Sequence, residues 1–287
     1  MLTRKEKADY IYQKIIENRI YSWKDPRLCF PNGKRVLSFL YTWGHRESKE
    51  IDDLTTMYVY NTLQKCQREL EKNEIAICFE TIEQILNSNP FIALTTSQIV
   101  LPNQQTIANF LREIKRKIKQ NSEYKEDLIS ELTRINQLQS LLKIDARFSL
   151  LEKQVYEDVH FKLSSNQESF PDGISCASYW NYCQRKTSQS LKEEDIYLHK
   201  KMRHLLLLAK RMRLLNYMEI MKQEIIVNPD FRFYKTKKTF EDGTKYHSCW
   251  EYCNYLVKKN KEKKPDEIEL SLYQTMAEID ELQGRTK

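Results

Sequence analysis

The chain has 287 residues, 40% hydrophobic and 30% charged, with 47 Lys and Arg against 40 Asp and Glu for a formal net charge of +7. This balance excludes a disordered chain, and five Gly and seven Pro are too few for the turns of a sheet-rich fold, so an all-α protein is expected. The modest basic excess permits nucleic-acid binding without requiring it, so the distribution of charge matters more than its sum.

The amino terminus, Met1 to Lys7, lacks an apolar signal region, and the longest aliphatic run, Leu205 to Ala209, is far too short to span a bilayer. An intracellular, soluble protein of cytoplasm or nucleus with no membrane partner is therefore expected. Its seven cysteines, an odd number, are expected to be reduced, buried thiols with no disulfide framework.

In chain order, a short motif recurs at Phe30-Pro31-Asn32-Gly33, Leu101-Pro102-Asn103-Gln104, Phe170-Pro171-Asp172-Gly173 and Phe240-Glu241-Asp242-Gly243. The anchors Phe30, Leu101, Phe170 and Phe240 are 71, 69 and 70 residues apart. A constant period of this size signals a tandem array. Positions 6, 9, 10 and 13 after each anchor are Val36, Phe39, Leu40 and Trp43; Ile107, Phe110, Leu111 and Ile114; Cys176, Tyr179, Trp180 and Cys183; and Tyr246, Cys249, Trp250 and Cys253. All sixteen are apolar or aromatic at i, i+3, i+4 and i+7, the core stripe of a helix. The anchor reads as the turn that launches this helix, with Thr106, Ser175 and Thr244 as candidate caps.

An earlier helix is predicted from Ile11 and Ile15, Ile82 and Leu86, Leu151 and Val155, and Met221 and Ile225. A third is predicted to start at the acidic pairs Asp52-Asp53, Glu126-Asp127, Glu194-Asp195 and Asp266-Glu267, where negative charge suits a helix N-terminus. Its apolar positions are Ile51, Leu54 and Leu63; Leu128, Leu132 and Ile135; Ile196, Met202 and Leu205; and Ile268, Leu272 and Ile279. The expected architecture is an elongated array of four three-helix units, at residues 1–70, 71–142, 143–213 and 214–287.

Trp180 and Trp250 share a position with Leu40 and Leu111, which marks it as core. Tyr182 and Tyr252, two residues on, leave that stripe; they either stack on bases or rest on a neighbouring unit. Beyond the stripe lie Arg46, then Arg112, Lys115, Arg116, Lys117 and Lys119, then Arg185 and Lys186, then Lys258 and Lys259. With Lys200, Arg203 and Lys210 on a further basic helix interleaved with core leucines, these are the candidate phosphate contacts. The competing reading of each cluster is a solvated face of a Lys-rich protein.

Cys249 and Cys253, with His247 beside them, and the pair His199 and His204 have spacings some zinc sites use, but the pairs fall in different units and the two cysteines belong to the core stripe. No metal site and no cofactor are expected. Phosphate-loop, nucleophile-elbow and zincin motifs are absent, and the five histidines lack an evident carboxylate partner, so no enzyme is expected.

Phe170-Pro171-Asp172-Gly173, Trp180, Gln184-Arg185-Lys186, Leu191 and Glu194 together resemble the helicase-associated domain, a small helical repeat that occurs in tandem. The resemblance covers the third unit best, extends to the fourth, and carries no helicase motor. It implies nucleic-acid binding, DNA or RNA, with Arg185 and Lys186 as the matched basic pair. The alternative is a helical adaptor or inhibitor that grips a protein partner, for example a nucleic-acid-processing complex.

Overall fold

A computed structural model describes residues 2–23, 25–43, 53–120, 124–187, 193–233, 236–259 and 265–284. The described residues form α1 (Arg4–Glu17), α2 (Val36–Trp43), α3 (Leu54–Ser88), α4 (Ile107–Lys119), α5 (Lys125–Glu157), α6 (Cys176–Thr187), α7 (Glu193–Val227), α8 (Tyr246–Lys259) and α9 (Glu267–Leu282), with no strand among them. The fold is all-α, and no described helix is long and apolar enough to cross a membrane. The chain divides into two compact units, residues 1–140 and 141–287, with the division inside α5.

The four anchors fold into the same turn. Each anchor N–H donates to the carbonyl four residues on, at Lys34, Gln105, Ile174 and Thr244, and each anchor carbonyl accepts from the N–H of Gly33, Gln104, Gly173 or Gly243. Those four residues have φ of +77°, +68°, +81° and +85°, the left-handed region. The carbonyl two residues before each anchor, at Leu28, Ile99, Glu168 and Lys238, then accepts the first N–H of the following helix, from Val36, Ile107, Cys176 and Tyr246. Thr106 and Ser175 cap α4 and α6 through their hydroxyls, which accept from Asn109 N and Ser178 N at 3.3 and 3.2 Å. Thr244 does not hold the matching place. It stands one position early, where its carbonyl takes the Phe240 N–H, and Lys245 occupies the cap position.

Of the sixteen expected stripe positions only Phe39 stays partly exposed, and all eight of the earlier helix are buried. The acidic starts also appear: Asp53 caps α3, Asp266 and Glu269 form a reciprocal box on α9, and Glu126-Asp127 and Glu194-Asp195 lie in the first turns of α5 and α7. Of the third-helix positions, Ile51 lies outside the described residues, Leu132 and Ile268 are half-buried, and two are exposed. Leu54 is 87% and Ile196 46% exposed, because each lies well round the helix from its buried stripe, which runs through Val59, Leu63, Cys66 and Leu70 in α3 and Leu198, Met202 and Leu205 in α7.

The third helix of one stretch and the earlier helix of the next are not separate elements. They fuse into α3, α5 and α7, of 35, 33 and 35 residues. Residues 71, 143 and 214, where the repeat period places unit boundaries, lie within these helices. In α7 the stripe buried before Leu214 through Leu198, Met202, Leu205 and Ala209, with Leu208 at its flank, faces roughly opposite to the stripe through Leu214, Met218, Met221 and Ile225, at 100° per residue. α3 changes side in the same way between Leu63-Cys66-Leu70 and Cys78-Ile82-Leu86. A single long helix thus serves a core on one side with its first half and a second core on the other side with its second half.

In the first unit α1 packs along α3 over Ala8, Ile11, Ile15, Val36, Leu40, Trp43 and Val59. In the second unit the end of α7 packs with α8 and α9 around Met218, Met221, Phe233, Trp250, Cys253, Leu272 and Ile279. Trp180 and Trp250 are both buried, and Phe233 lies 4.7 Å from the Trp250 ring.

Candidate nucleic-acid interface

The eleven candidate cations whose side chains are described divide into those held within the fold and those facing solvent. α4 carries the densest group. Ile107, Phe110, Leu111 and Ile114 are buried on one side, and Arg112, Lys115, Arg116 and Lys119 stand exposed on the other at i, i+3, i+4 and i+7. Lys115, Arg116 and Lys119 form no ion pair with any described residue, and Arg112 donates to the Asn109 side-chain carbonyl at 2.8 Å. Lys117 lies off this stripe, half-buried, with its ammonium on Glu71 and 3.8 Å from Glu113. The Gln105 amide donates to the same Glu113 at 2.8 Å, so the acid of α4 is turned toward the fold.

On α6, Arg185 and Lys186 are exposed in the last turn, where cations complement the helix dipole. The Arg185 Nε donates to the Asn181 carbonyl at 3.4 Å, and the Lys186 ammonium lies 6.0 Å from the ring of Tyr182. Tyr182 is 47% exposed and stacks on buried Tyr179 at 6.3 Å. Tyr252 is different: Lys210 donates to its hydroxyl at 2.5 Å and sits 4.1 Å from its ring centroid. Lys210 and Tyr252 therefore occupy each other.

Along α7, Lys200 and Arg203 are exposed with no ion pair to a described residue. Their neighbours are committed: Lys201 to Asp145 at 2.7 Å, Arg211 to Asp266 and to Glu269 at 2.6 Å, and Arg213 to the carbonyls of Val159 and Phe161, both at 3.3 Å. The leucines between them are not all core, since Leu206 and Leu207 are 51% and 46% exposed. Lys258 is exposed near the end of α8; the Lys259 side chain and Arg46 lie outside the described residues.

Two side chains that sequence reasoning did not single out hold the anchor turns. The Arg147 guanidinium binds the Asp172 carboxylate, and the Tyr217 hydroxyl donates to Asp242 at 2.5 Å. Arg147 and Tyr217 each stand 23 residues before their anchor, as do Lys7 and Cys78. Lys7 places its ammonium 5.9 Å from the Phe30 ring. Four unlike residues in one register leave no sequence pattern, which is why only geometry reveals them.

None of the seven cysteines forms a disulfide, and all but Cys29 are buried. The neighbouring Cys253 thiol and burial together push the Cys249 thiol far above its usual pKa, and burial pushes Cys183 up to about 11. These are inert core groups. His247 pairs with Glu251 at 3.3 Å, and no cluster of three or more His, Cys, Asp or Glu able to hold a metal occurs among the described residues.

Comparison with protein-family models, curated proteins and solved structures finds no match to this chain.

Proposed function

We propose that this chain is a non-enzymatic nucleic-acid-binding protein, built as four three-helix repeats that share their long helices, and that it grips the phosphate backbone with the solvent-facing cations of α4 and α6. The observation that carries this reading is the stripe of Arg112, Lys115, Arg116 and Lys119, four cations on one helical face opposite the core, none with an ion pair to a described residue. A face of this kind offers a polyanion the release of several counterions at once. Arg185 and Lys186, with the exposed Tyr182 ring beside them, add a second contact in which a cation meets a base-stacking surface. The resemblance of Phe170 to Lys186 to helicase-associated repeats belongs to the same proposal, which rests on the surface and not on the resemblance.

The test is the affinity of the full chain for single- and double-stranded DNA and RNA across a salt series. Binding that weakens linearly in log affinity against log salt supports the proposal. No binding at low salt, or binding indifferent to salt, overturns it. A partner complex that survives high salt and nuclease points instead to a protein adaptor.

A further inference from the structure

We infer that the exposed face of the first half of α7 is a docking site for an acidic amphipathic helix of a protein partner, distinct from the phosphate-binding stripe of α4. Ile196, Lys200, Arg203 and Leu207 lie at i, i+4, i+7 and i+11, one continuous strip along the helix, opposite the buried Leu198, Met202 and Leu205. Ile196 and Leu207 are each 46% exposed, and Lys200 and Arg203 form no ion pair with a described residue. Exposed aliphatic side chains interleaved with unpaired cations contribute little to holding a phosphate backbone. They match a helix that presents leucines flanked by Asp or Glu.

The second argument is continuity. α9 runs along α7 in the same direction, as the pairs Arg211–Glu269 at 2.6 Å, Glu219–Thr275 at 2.9 Å and Lys222–Glu278 at 2.6 Å show. α9 begins at Glu267, so its track along α7 stops beside Arg211, while α7 itself extends back to Glu193. The strip from Ile196 to Leu207 lies on the side of α7 that is buried from Leu214 onward. A helix docked there would extend a packing surface that the fold already uses.

At the point where α9 stops, a socket of about 310 Å³ opens between Tyr156, His204, Leu207, Leu208, Arg211 and Ile268. Its apolar wall suits a single leucine or aromatic anchor, the kind of contact that dominates helix-in-groove binding. Asp266, on its rim, is spent on Arg211 and on the α9 cap, while Glu267 stands at the α9 edge. That acid orients the partner, whose carboxylates must turn toward Lys200 and Arg203.

The experiment uses the full chain and a fluorescent helical peptide of about five turns with leucines at i, i+4, i+7 and i+11 and glutamates on the flanks. The controls are the same peptide with lysines for glutamates, vesicles containing an anionic phospholipid, and a DNA duplex. The glutamate peptide should bind, and Leu207→Glu should weaken it about tenfold or more, the usual loss on removing an interface anchor. A double variant, Lys200→Glu with Arg203→Glu, should exchange preference toward the lysine peptide. Charge reversal of Arg112, Lys115, Arg116 and Lys119 should leave peptide binding unchanged, which separates this site from the nucleic-acid reading. The inference is overturned if neither peptide binds, or if both bind alike. It is equally overturned if Leu207→Glu abolishes vesicle binding or self-association instead, or if the duplex displaces the peptide. Circular dichroism of each variant confirms that the exposed substitutions leave the fold intact.

Discussion

The Tyr217 hydroxyl donates to the Asp242 carboxylate at 2.5 Å, tying the middle of α7 to the turn that launches α8. Asp242 also accepts from the Thr244 N–H at 2.9 Å, so the carboxylate organises the turn from inside while the tyrosine fixes it to the core. These bonds, the tyrosine's first, hold the Asp242 carboxyl below its ordinary range, and burial followed by the Asp242 bond pushes the Tyr217 phenol up to about 12. Because Asp242 is depressed in the folded state, its contribution is present above the unfolded carboxylate pKa of about 4 and fades as pH falls through the lower folded value. Because Tyr217 is raised, its contribution is complete below about pH 10 and is lost as pH rises toward 12. Tyr217→Phe should therefore lower stability by about 1–2 kcal/mol at neutral pH and flatten the alkaline limb of a stability–pH profile. Urea titrations from pH 3 to pH 11 measure both effects, and an unchanged alkaline limb would contradict the assignment.

The left-handed residue of each anchor turn makes opposite predictions for glycine and glutamine. Gly173 and Gly243 have open space where a Cβ would stand, so Gly173→Ala and Gly243→Ala should cost about 1 kcal/mol each from backbone conformation alone. Gln104 holds the same conformation, at φ +68°, with a side chain. Gln104→Gly should relieve that cost and leave the protein equally or slightly more stable, by up to roughly 0.5–1 kcal/mol. Thermal unfolding of the three variants decides it; a stabilised Gly173→Ala or a strongly destabilised Gln104→Gly would refute the shared-turn account.

The apolar stripes are legible in the sequence because helical burial is periodic, and Val36, Ile107, Cys176 and Tyr246 keep one register through three different chemistries. The fusion of successive helices is not. Near residues 71 and 214 the buried stripe changes side, and a change of phase in the pattern looks the same from sequence whether the chain turns or continues straight. In sequence Lys117 and Lys210 look equivalent to Lys115 and Arg203, since charge on a helix is visible and its partner is not. Glu71 stands 46 residues before Lys117, and Tyr252 stands 42 after Lys210. The exposure of Leu206 and Leu207 is hidden for the complementary reason: a run of four leucines on α7 must point in every direction, and only packing decides which two are buried.

The α4 cations separate into two classes of mutant. Replacing Arg112, Lys115, Arg116 and Lys119 one at a time with Ala should leave stability within about 0.5 kcal/mol and reduce the salt slope of nucleic-acid binding by about 1 for each cation removed. Lys117→Ala should do the reverse. Its removal takes the cation from Glu71 and leaves Glu113 with only the Gln105 amide, so the melting temperature drops while the salt slope holds. Fluorescence anisotropy across salt, with calorimetric melting of the same proteins, tests the division; a slope change in Lys117→Ala equal to that in Arg116→Ala would erase it.

Continuity of α3 through residue 71 is the last feature open to direct test. Had the chain turned there, proline just beyond that point would be tolerated, since turns accept its fixed φ and lose no helical hydrogen bond. Glu74 is exposed and in mid-helix, so its side chain can be replaced without opening a cavity. Glu74→Pro removes the bond from its own N–H and pushes the ring against the preceding turn, a cost of about 3 kcal/mol or more. Glu74→Ala, the control, should be neutral or slightly stabilising because alanine is the better helix former. The flip in the buried stripe adds a second consequence: a kink at Glu74 misaligns Cys78, Ile82 and Leu86 relative to Leu63, Cys66 and Leu70, so both cores that α3 serves should loosen together. Hydrogen exchange reads this directly. Coincident loss of protection at Leu63 and Ile82 is the expected result, and loss confined to one side of residue 74 would show that the two halves of α3 fold independently.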